Sequence, residues 1–170
     1  MWELEIKNMK EKTNYGNWVP EKALYLLFAL AAVFLTITVL LRGLVQIPVL
    51  TIIMGVVFVM TVIMAVYMLV CHETFAFGKG NMMAEVHRHL VEHLEWNGEG
   101  TLLDIGCGAA ALTVRCAKTF PKAQITAMDY WGAEWNYAKE QCEKNARIEG
   151  ISDRVTFQKG DAAKLDFADE

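Results

Sequence analysis

The stretch LLDIGCG, residues Leu102–Gly108, decides the fold of this chain. It is an apolar run that ends on Asp104 and continues into a Gly-x-Gly turn, a pattern typical of a buried strand that opens a ligand site in an α/β sheet. Two later segments, ITAMDYW (Ile125–Trp131) and VTFQKGDA (Val155–Ala162), repeat the order of apolar strand and acid. Each of the three predicted strands therefore leads to one acid: Asp104, Asp129 and Asp161.

Helical patterns separate the predicted strands. A helix is predicted over Ala109–Phe120, and a second is indicated by Trp135, Ala138, Cys142 and Asn145, which recur at helical intervals before Gly150. Strands that alternate with helices of this length predict parallel βαβ units with right-handed crossovers. Ligands bind beyond the carboxyl ends of the strands in such sheets, and all three acids fall at those ends.

Two long apolar segments precede this α/β pattern. Ala23–Leu41 has 19 residues without a charge and Val49–Val70 has 22, enough for each to cross a hydrocarbon layer of about 30 Å as a helix. Arg42–Pro48 between them is short enough to predict a hairpin turn, and Pro48 stands where a helix start tolerates proline. The sequence therefore predicts a transmembrane hairpin.

Charge predicts the orientation of the hairpin. Lysines precede the first span and basic residues follow the second, whereas Arg42 stands alone in the turn, so both termini are expected in the cytosol, with the protein multi-pass in the cytoplasmic membrane. A cleaved signal peptide is the alternative for the first span. The long polar stretch ahead of that span, and the lack of a small-residue cleavage pattern after Leu41, argue against it.

The predicted domains are a cytosolic segment over 1–22, the hairpin over 23–71, a linker over 72–80 and an α/β domain over 81–170. The α/β domain begins with an amphipathic helix over Met82–Trp96, on which His89 and His93 lie four residues apart. No third ligand lies near these histidines, so no metal site is predicted. The net charge of −4 provides no basic surface for nucleic acid, and none is expected as a partner.

The choice of ligand depends on Asp104. Gly106, Gly108 and Ala111 also satisfy a permissive dinucleotide pattern, with Asp129 at a suitable distance for a ribose. However, a carboxylate at the end of the first strand repels a pyrophosphate and attracts a cation. S-adenosylmethionine carries a sulfonium and an ammonium group and no phosphate, so an acidic cleft suits it.

Individual residues receive roles on this basis, each with a structural alternative. Asp129 can accept two ribose hydroxyls, Asp161 can accept from the exocyclic amine of adenine, and Tyr130 or Trp131 offers a flat surface for the ring. Asp104 can instead cap the following helix, and Asp161 can be an ordinary turn aspartate. Cys107, next to a helix N-terminus, is either a nucleophile or a small turn residue.

The segments LLDIGCGAA, ITAMDYW and QKGDAAKLDF resemble, in order, three motifs of the class I S-adenosylmethionine-dependent methyltransferases. The resemblance covers about residues 81–170. It implies the first half of a Rossmann-like doubly wound parallel sheet with strands ordered 3-2-1, and S-adenosylmethionine as cofactor. It further implies backbone contacts to the cofactor from Gly106, Cys107 and Gly108, a ribose contact from Asp129, and adenine held by the segment that contains Asp161 and Ala162. Where this family commonly has a third glycine, the chain has Ala110.

The expected function is a membrane-anchored methyltransferase represented by its cofactor-binding half. Glu170 falls where a fourth strand of that family begins, which predicts a fragment whose first strand keeps an unpaired edge open to self-association. A non-catalytic S-adenosylmethionine-binding or interaction module is the alternative, and a nicotinamide-dependent oxidoreductase is a third. The methyl acceptor, a small molecule or a lipid-like compound, and the catalytic residues are not predicted.

Overall fold

The structure, a computed structural model, describes residues 11–132, 139–165 and 167. The chain forms two compact units. One is Asn17–Met82, and the other combines the chain up to Gly16 with Met83–Glu170. These boundaries differ from the predicted ones because residues before Gly16 hydrogen-bond to the α/β unit, which the sequence pattern of a polar leader does not indicate.

The first unit is a pair of helices. α1 spans Glu21–Leu40 and continues into a π-helix over Leu41–Val45, and α2 spans Pro48–Phe75. Both are long and apolar enough to cross a membrane, judged by length and composition. Pro48 is the first residue of α2, as predicted, because a helix start leaves the proline's missing N–H without consequence.

The helices extend further than the apolar runs. The predicted turn over Arg42–Pro48 begins as helix, and the chain reverses at Gln46, which has a left-handed φ of 56°. α2 continues five residues past Val70, so the first part of the predicted linker is helical. Nothing in Cys71–Phe75 breaks a helix, and the first left-handed residue after it is Gly78.

The second unit alternates helices and strands. Its elements are α3 (Met82–Glu92), β1 (Gly100–Ile105), α4 (Ala111–Thr119), β2 (Ala123–Asp129), α5 (Lys139–Ile148) and β3 (Val155–Lys159). The three strands form a parallel sheet in the order β1-β2-β3, which confirms the predicted 3-2-1 arrangement. Ile125 of β2 lies in register with Leu102 on one side and Val155 on the other.

The core of this unit lies between the sheet and its helices. The buried face of β2 carries small and branched residues at every second position, as expected for a strand. The main core side chains are Ile125, Ala127, Val155 and Phe157 from the sheet, Val114 and Ala117 from α4, and Cys142 and Ala146 from α5. Arg154, just before β3, connects that strand to the end of α4 by donating to the carbonyl oxygens of Ala117 and Phe120.

Two helices are shorter than predicted. α3 ends at Glu92, before Trp96, and α4 starts at Ala111 because Ala109 and Ala110 belong to the loop after β1. Trp135 and Ala138 of the predicted helical pattern lie outside the described residues, and α5 is described from Lys139. Both crossovers therefore follow the predicted order of strand, helix and strand.

Candidate functional site

The loop between β1 and α4, residues 106–110, is called the glycine loop here. The N–H groups of Gly106 and Cys107 both donate to the carbonyl oxygen of Met128 in β2, at 2.8 and 3.1 Å. Gly106 and Ala110 have left-handed φ values of 77° and 68°. Glycine adopts this conformation freely, which explains the glycine at 106, whereas Ala110 holds it at an energetic cost.

Asp129, the last residue of β2, faces the glycine loop. One carboxylate oxygen accepts the N–H of Gly108 at 2.8 Å, and the other accepts the N–H of Trp131 at 2.9 Å. A carboxylate oxygen can accept two hydrogen bonds, so each retains capacity for a further donor. The structure thus brings together the acid of the second strand and the loop after the first.

Asp104 is buried at the end of β1, and its carboxylate accepts the hydroxyl proton of Thr113. Burial raises the pKa of this carboxyl above its usual value and the charge of Asp129 raises it further, while the bonds from the Thr113 hydroxyl and backbone N–H lower the pKa. Thr113 is the third residue of α4, so Asp104 caps that helix, which was the structural alternative. Two neighbouring carboxylates nevertheless make this edge of the sheet electronegative.

The two aromatic candidates differ in position. The indole N–H of Trp131 donates to the carbonyl oxygen of Gly108 at 2.9 Å. The backbone of Trp131 has a left-handed φ of 45°. Tyr130 is 60% exposed, and the ammonium group of Lys159 lies 5.0 Å from the centre of its ring. Trp131 therefore supports the glycine loop, and Tyr130 has the more exposed ring, with Lys159 over one of its faces.

Asp161 and Ala162 lie in an exposed turn after β3. One oxygen of Asp161 accepts the N–H of Ala163 at 2.9 Å, and its backbone pairs with Lys164. Asp161 thus stabilises its own turn, as its structural alternative anticipated. Among the predicted site acids, Asp129 makes the direct contact with the glycine loop.

Cys107 is buried inside the glycine loop. A hydrogen bond with Cys142 raises the pKa of its thiol, and so does burial. A nucleophilic cysteine requires a lowered pKa, so the structure favours the small turn residue over the nucleophile. Cys142 in turn donates to the carbonyl oxygen of Gly108, at 3.0 Å.

Sequence reasoning missed three residues that support the site: Thr113, which bonds to Asp104, and Cys142 and Asn145, which bond to the glycine loop. Thr113 lies nine positions after Asp104, and nothing in the spacing indicates the bond between them. Cys142 and Asn145 appeared as one side of a helix, but the pattern does not reveal that they reach the loop carbonyls. Helical periodicity identifies the buried side and leaves open the polar contacts made from it.

Among the residues that the structure describes, the backbone of the glycine loop is open at Gly106. A methyl group built on Gly106 would have no described atom within 4 Å, whereas one built on Gly160 would lie 2.1 Å from the terminal carbon of Met128. A ligand can therefore approach the backbone at Gly106 while Asp129 offers acceptors beside it. An acidic pocket edge with unused carboxylate acceptors fits a cationic ligand that carries hydroxyl groups.

Comparison with known proteins connects this geometry to a family. Residues 102–170 match the family model of a methyltransferase domain. This methyltransferase-like segment starts at the quoted LLDIGCG stretch and includes the glycine loop, Asp129 and the turn at Asp161.

Individual methyltransferases are similar to the same part of the chain. Release factor glutamine methyltransferase of Chlorobaculum tepidum is 30% identical over 89 residues, which are 49% of this chain and 29% of that protein. The tRNA1(Val) (adenine(37)-N6)-methyltransferase of Vibrio cholerae is 46% identical over 54 residues, 29% of this chain and 22% of that protein. The chain thus spans less than a third of the length of either relative.

Among solved structures, the X-ray structure of YjhP from E. coli covers 48% of this chain and 31% of its own, with 24% sequence identity and a TM-score of 0.39. The family match and the two relatives support a methyltransferase domain in this chain. They imply S-adenosylmethionine as its cofactor. The electronegative edge at Asp104 and Asp129 agrees with a cofactor that carries positive charge.

Proposed function

We propose that this chain is the cofactor-binding part of a membrane-anchored, S-adenosylmethionine-dependent methyltransferase. The observation that carries the proposal is the pairing of Asp129 with the glycine loop, next to open space at Gly106. This pairing places hydroxyl acceptors and approachable backbone at one edge of the sheet. The similarity of residues 102–170 to methyltransferase domains supports the assignment.

Each part of the site has a proposed task. Asp129 would accept the ribose hydroxyls, the backbone of Gly106–Gly108 would line the methionine portion, and Asp104 would supply a favourable field for its ammonium group. Tyr130 would cover the adenine, with Asp161 and Ala162 at its rim. When bound, the cofactor supplies a sulfonium methyl group that an acceptor nucleophile takes, leaving a thioether.

The proposed anchor is the pair α1 and α2, with both termini in the cytosol. All five threonines of this unit (Thr36, Thr38, Thr51, Thr61 and Thr74) donate their hydroxyl protons to the carbonyl oxygen four residues earlier. This leaves no threonine donor without a partner, as a lipid environment demands. Trp18 packs against Phe75 at 5.3 Å, at the end where interfacial aromatics are expected.

The proposed acceptor is a small molecule or a lipid-like compound. An anchor of this kind keeps the site near the membrane, where a lipid-like acceptor is concentrated. A chain that binds the cofactor without transferring its methyl group to any acceptor would instead be a binding module. Incubation of the chain with methyl-labelled S-adenosylmethionine and heat-treated total membrane extract distinguishes the two. After unreacted cofactor is removed, methyl transfer leaves label on a compound of the extract, whereas a binding module leaves the extract unlabelled.

Binding of the cofactor is the first test. Calorimetry on the full chain in detergent is expected to detect S-adenosylmethionine binding and no NAD binding. Asp129→Asn should lower the affinity by about tenfold or more, since hydrogen bonds to a charged acceptor contribute about 1.5–3 kcal/mol. Asp153→Asn is the matched control, because Asp153 is an exposed turn residue of the same charge and its loss should leave the affinity unchanged.

Two results would overturn the proposal. Binding of NAD in place of S-adenosylmethionine would point to an oxidoreductase. Equal affinity of Asp129→Asn and wild-type protein would remove Asp129 from the site.

We also propose that the chain self-associates through β1. Within the described residues β1 pairs with β2 alone, and Leu103 and Ile105 on it are 38% and 44% exposed. An exposed apolar edge presents unpaired backbone groups to another strand. A second copy of the chain offers the same edge and so can pair with it.

A further inference from the structure

The fully buried side chain of Asn145 on α5 connects two parts of the chain that are remote in sequence. Its amide nitrogen donates to the carbonyl oxygen of Ala109 at 2.9 Å and to that of Asn14 at 2.7 Å. Its amide oxygen accepts the N–H of Asn14 at 2.9 Å and the side chain of Gln141 at 3.0 Å. Both donors and the acceptor oxygen of this amide are therefore engaged.

The hydrogen bond from Asn145 to Ala109 is one of two that attach the glycine loop to α5. Cys142, one turn earlier on α5, donates to the carbonyl oxygen of Gly108, and Asn145 holds the next carbonyl. The loop is thus held from α5 at two consecutive residues. The N–H groups of Gly106 and Cys107 donate to Met128, and that of Gly108 donates to Asp129.

The other partner of Asn145 is the segment 11–16, called the N-terminal strap here. Asn145 pairs with both backbone groups of Asn14, as a neighbouring strand would. Next to it, the hydroxyl of Tyr15 donates to Glu149 at 2.7 Å, and Glu149 forms an ion pair with Lys118 of α4. The strap is thereby attached directly to α5 and the residue that follows it, and through Glu149 it is linked indirectly to α4.

We propose that Asn145 is a positioning residue that couples docking of the N-terminal strap to the affinity of the glycine loop for S-adenosylmethionine. The inference rests on the proposed function. If the strap detaches, Asn145 loses two of its hydrogen bonds, and the bond that orients Ala109 is weakened. Because coupling between two binding events is reciprocal, the bound cofactor must also hold the strap in place.

The first experiment compares cofactor affinity and stability in the full chain in detergent. Asn145→Ala is expected to weaken S-adenosylmethionine binding about tenfold, because it removes a buried hydrogen-bond network behind the loop. Asn97→Ala, at an exposed asparagine of the same unit, is the matched control and should bind as wild type does. Fluorine NMR of 5-fluorotryptophan protein should show a shifted Trp131 resonance in Asn145→Ala alone, since Trp131 contacts the loop.

The second experiment needs no variant and applies even if Asn145→Ala does not fold. Trypsin cleavage after the exposed Lys12 in the strap is followed by mass spectrometry with and without S-adenosylmethionine. The cofactor is expected to slow this cleavage several-fold. Lys79, in the other unit, is the internal control site, and its cleavage rate should not change.

The outcomes separate this inference from the proposed function. Wild-type protein that binds S-adenosylmethionine while cleavage after Lys12 keeps the same rate overturns the coupling and leaves the proposed function intact. A folded Asn145→Ala variant with wild-type affinity does the same. Wild-type protein that does not bind S-adenosylmethionine overturns the proposed function, and this inference with it.

Discussion

At the scale of single residues, the glycine loop contains an alanine in a glycine conformation. Ala110 is fully buried and left-handed, at the position where the methyltransferase motif commonly has its third glycine. The methyl group packs into the core beneath the loop, so it does not project toward the open space at Gly106. The substitution affects the loop through its backbone.

We predict that Ala110→Gly changes the free energy of unfolding by less than about 1 kcal/mol. Relief of the left-handed strain gains about 1–2 kcal/mol, and loss of a buried methyl group and of chain stiffness cost about 0.8 and about 0.5–1 kcal/mol. Ala110→Val should cost about 2 kcal/mol or more, from strain and overpacking. Urea unfolding measures both, with Ala111→Val, at the first residue of α4, as the control.

Burial of the Asp104 carboxyl group makes its ionisation unfavourable for folding stability. Its folded-state pKa is raised, so folding stability declines as pH rises from the unfolded pKa through the folded one. Asp104→Asn keeps an acceptor for Thr113 and has no charge to bury. The variant should therefore unfold at a higher denaturant concentration than wild type at pH 7, with the difference shrinking as pH falls toward the usual carboxyl pKa.

The same substitution should weaken S-adenosylmethionine binding, because it removes part of the negative field at the site. Denaturant unfolding as a function of pH and calorimetry at pH 7 check the two effects. A variant that is less stable than wild type at pH 7 would contradict this account of Asp104.

At the scale of elements, the sequence predicted all three strands and their order. The alternation of apolar strand, acid and helix determines a parallel sheet, since short crossovers allow few topologies. Helix ends were less predictable: α2 passes Val70 because no glycine or proline in Cys71–Phe75 ends it. At the site, the pattern located Asp129 and the glycines, but the polar contacts of Thr113 and Asn145 depend on three-dimensional packing and leave no trace in spacing.

The edge of β1 gives a prediction about assembly. Leu103→Lys places a charge on the exposed edge, which opposes pairing with a second strand. Light scattering of the detergent-solubilised chain should show a smaller particle for this variant than for wild type. Thr101→Lys, exposed near the start of the same strand, tests whether the effect is specific to the apolar position. A monomeric wild-type chain would contradict self-association.

At the scale of the whole molecule, the apolar helices dominate the exposed surface of their unit. Val59 lies near the middle of α2 and is 51% exposed. Val59→Arg should reduce the fraction of protein that resists carbonate extraction, since a central arginine costs about 2.5–3.5 kcal/mol in a spanning helix. Leu44→Arg, in the 78% exposed position between the helices, should extract as wild type does. Release of wild-type protein by carbonate would contradict membrane insertion.

The order of the two units along the chain has a consequence for biosynthesis. The α/β unit contains residues from both sides of the helical pair, so the pair is an insertion within that unit's sequence. A ribosome completes the strap first, then both apolar helices, and only afterwards Asn145, to which the strap must bind. The α/β unit therefore cannot finish folding until the insertion has been made. A truncated protein that begins at residue 81 would therefore lack the N-terminal strap of the α/β unit.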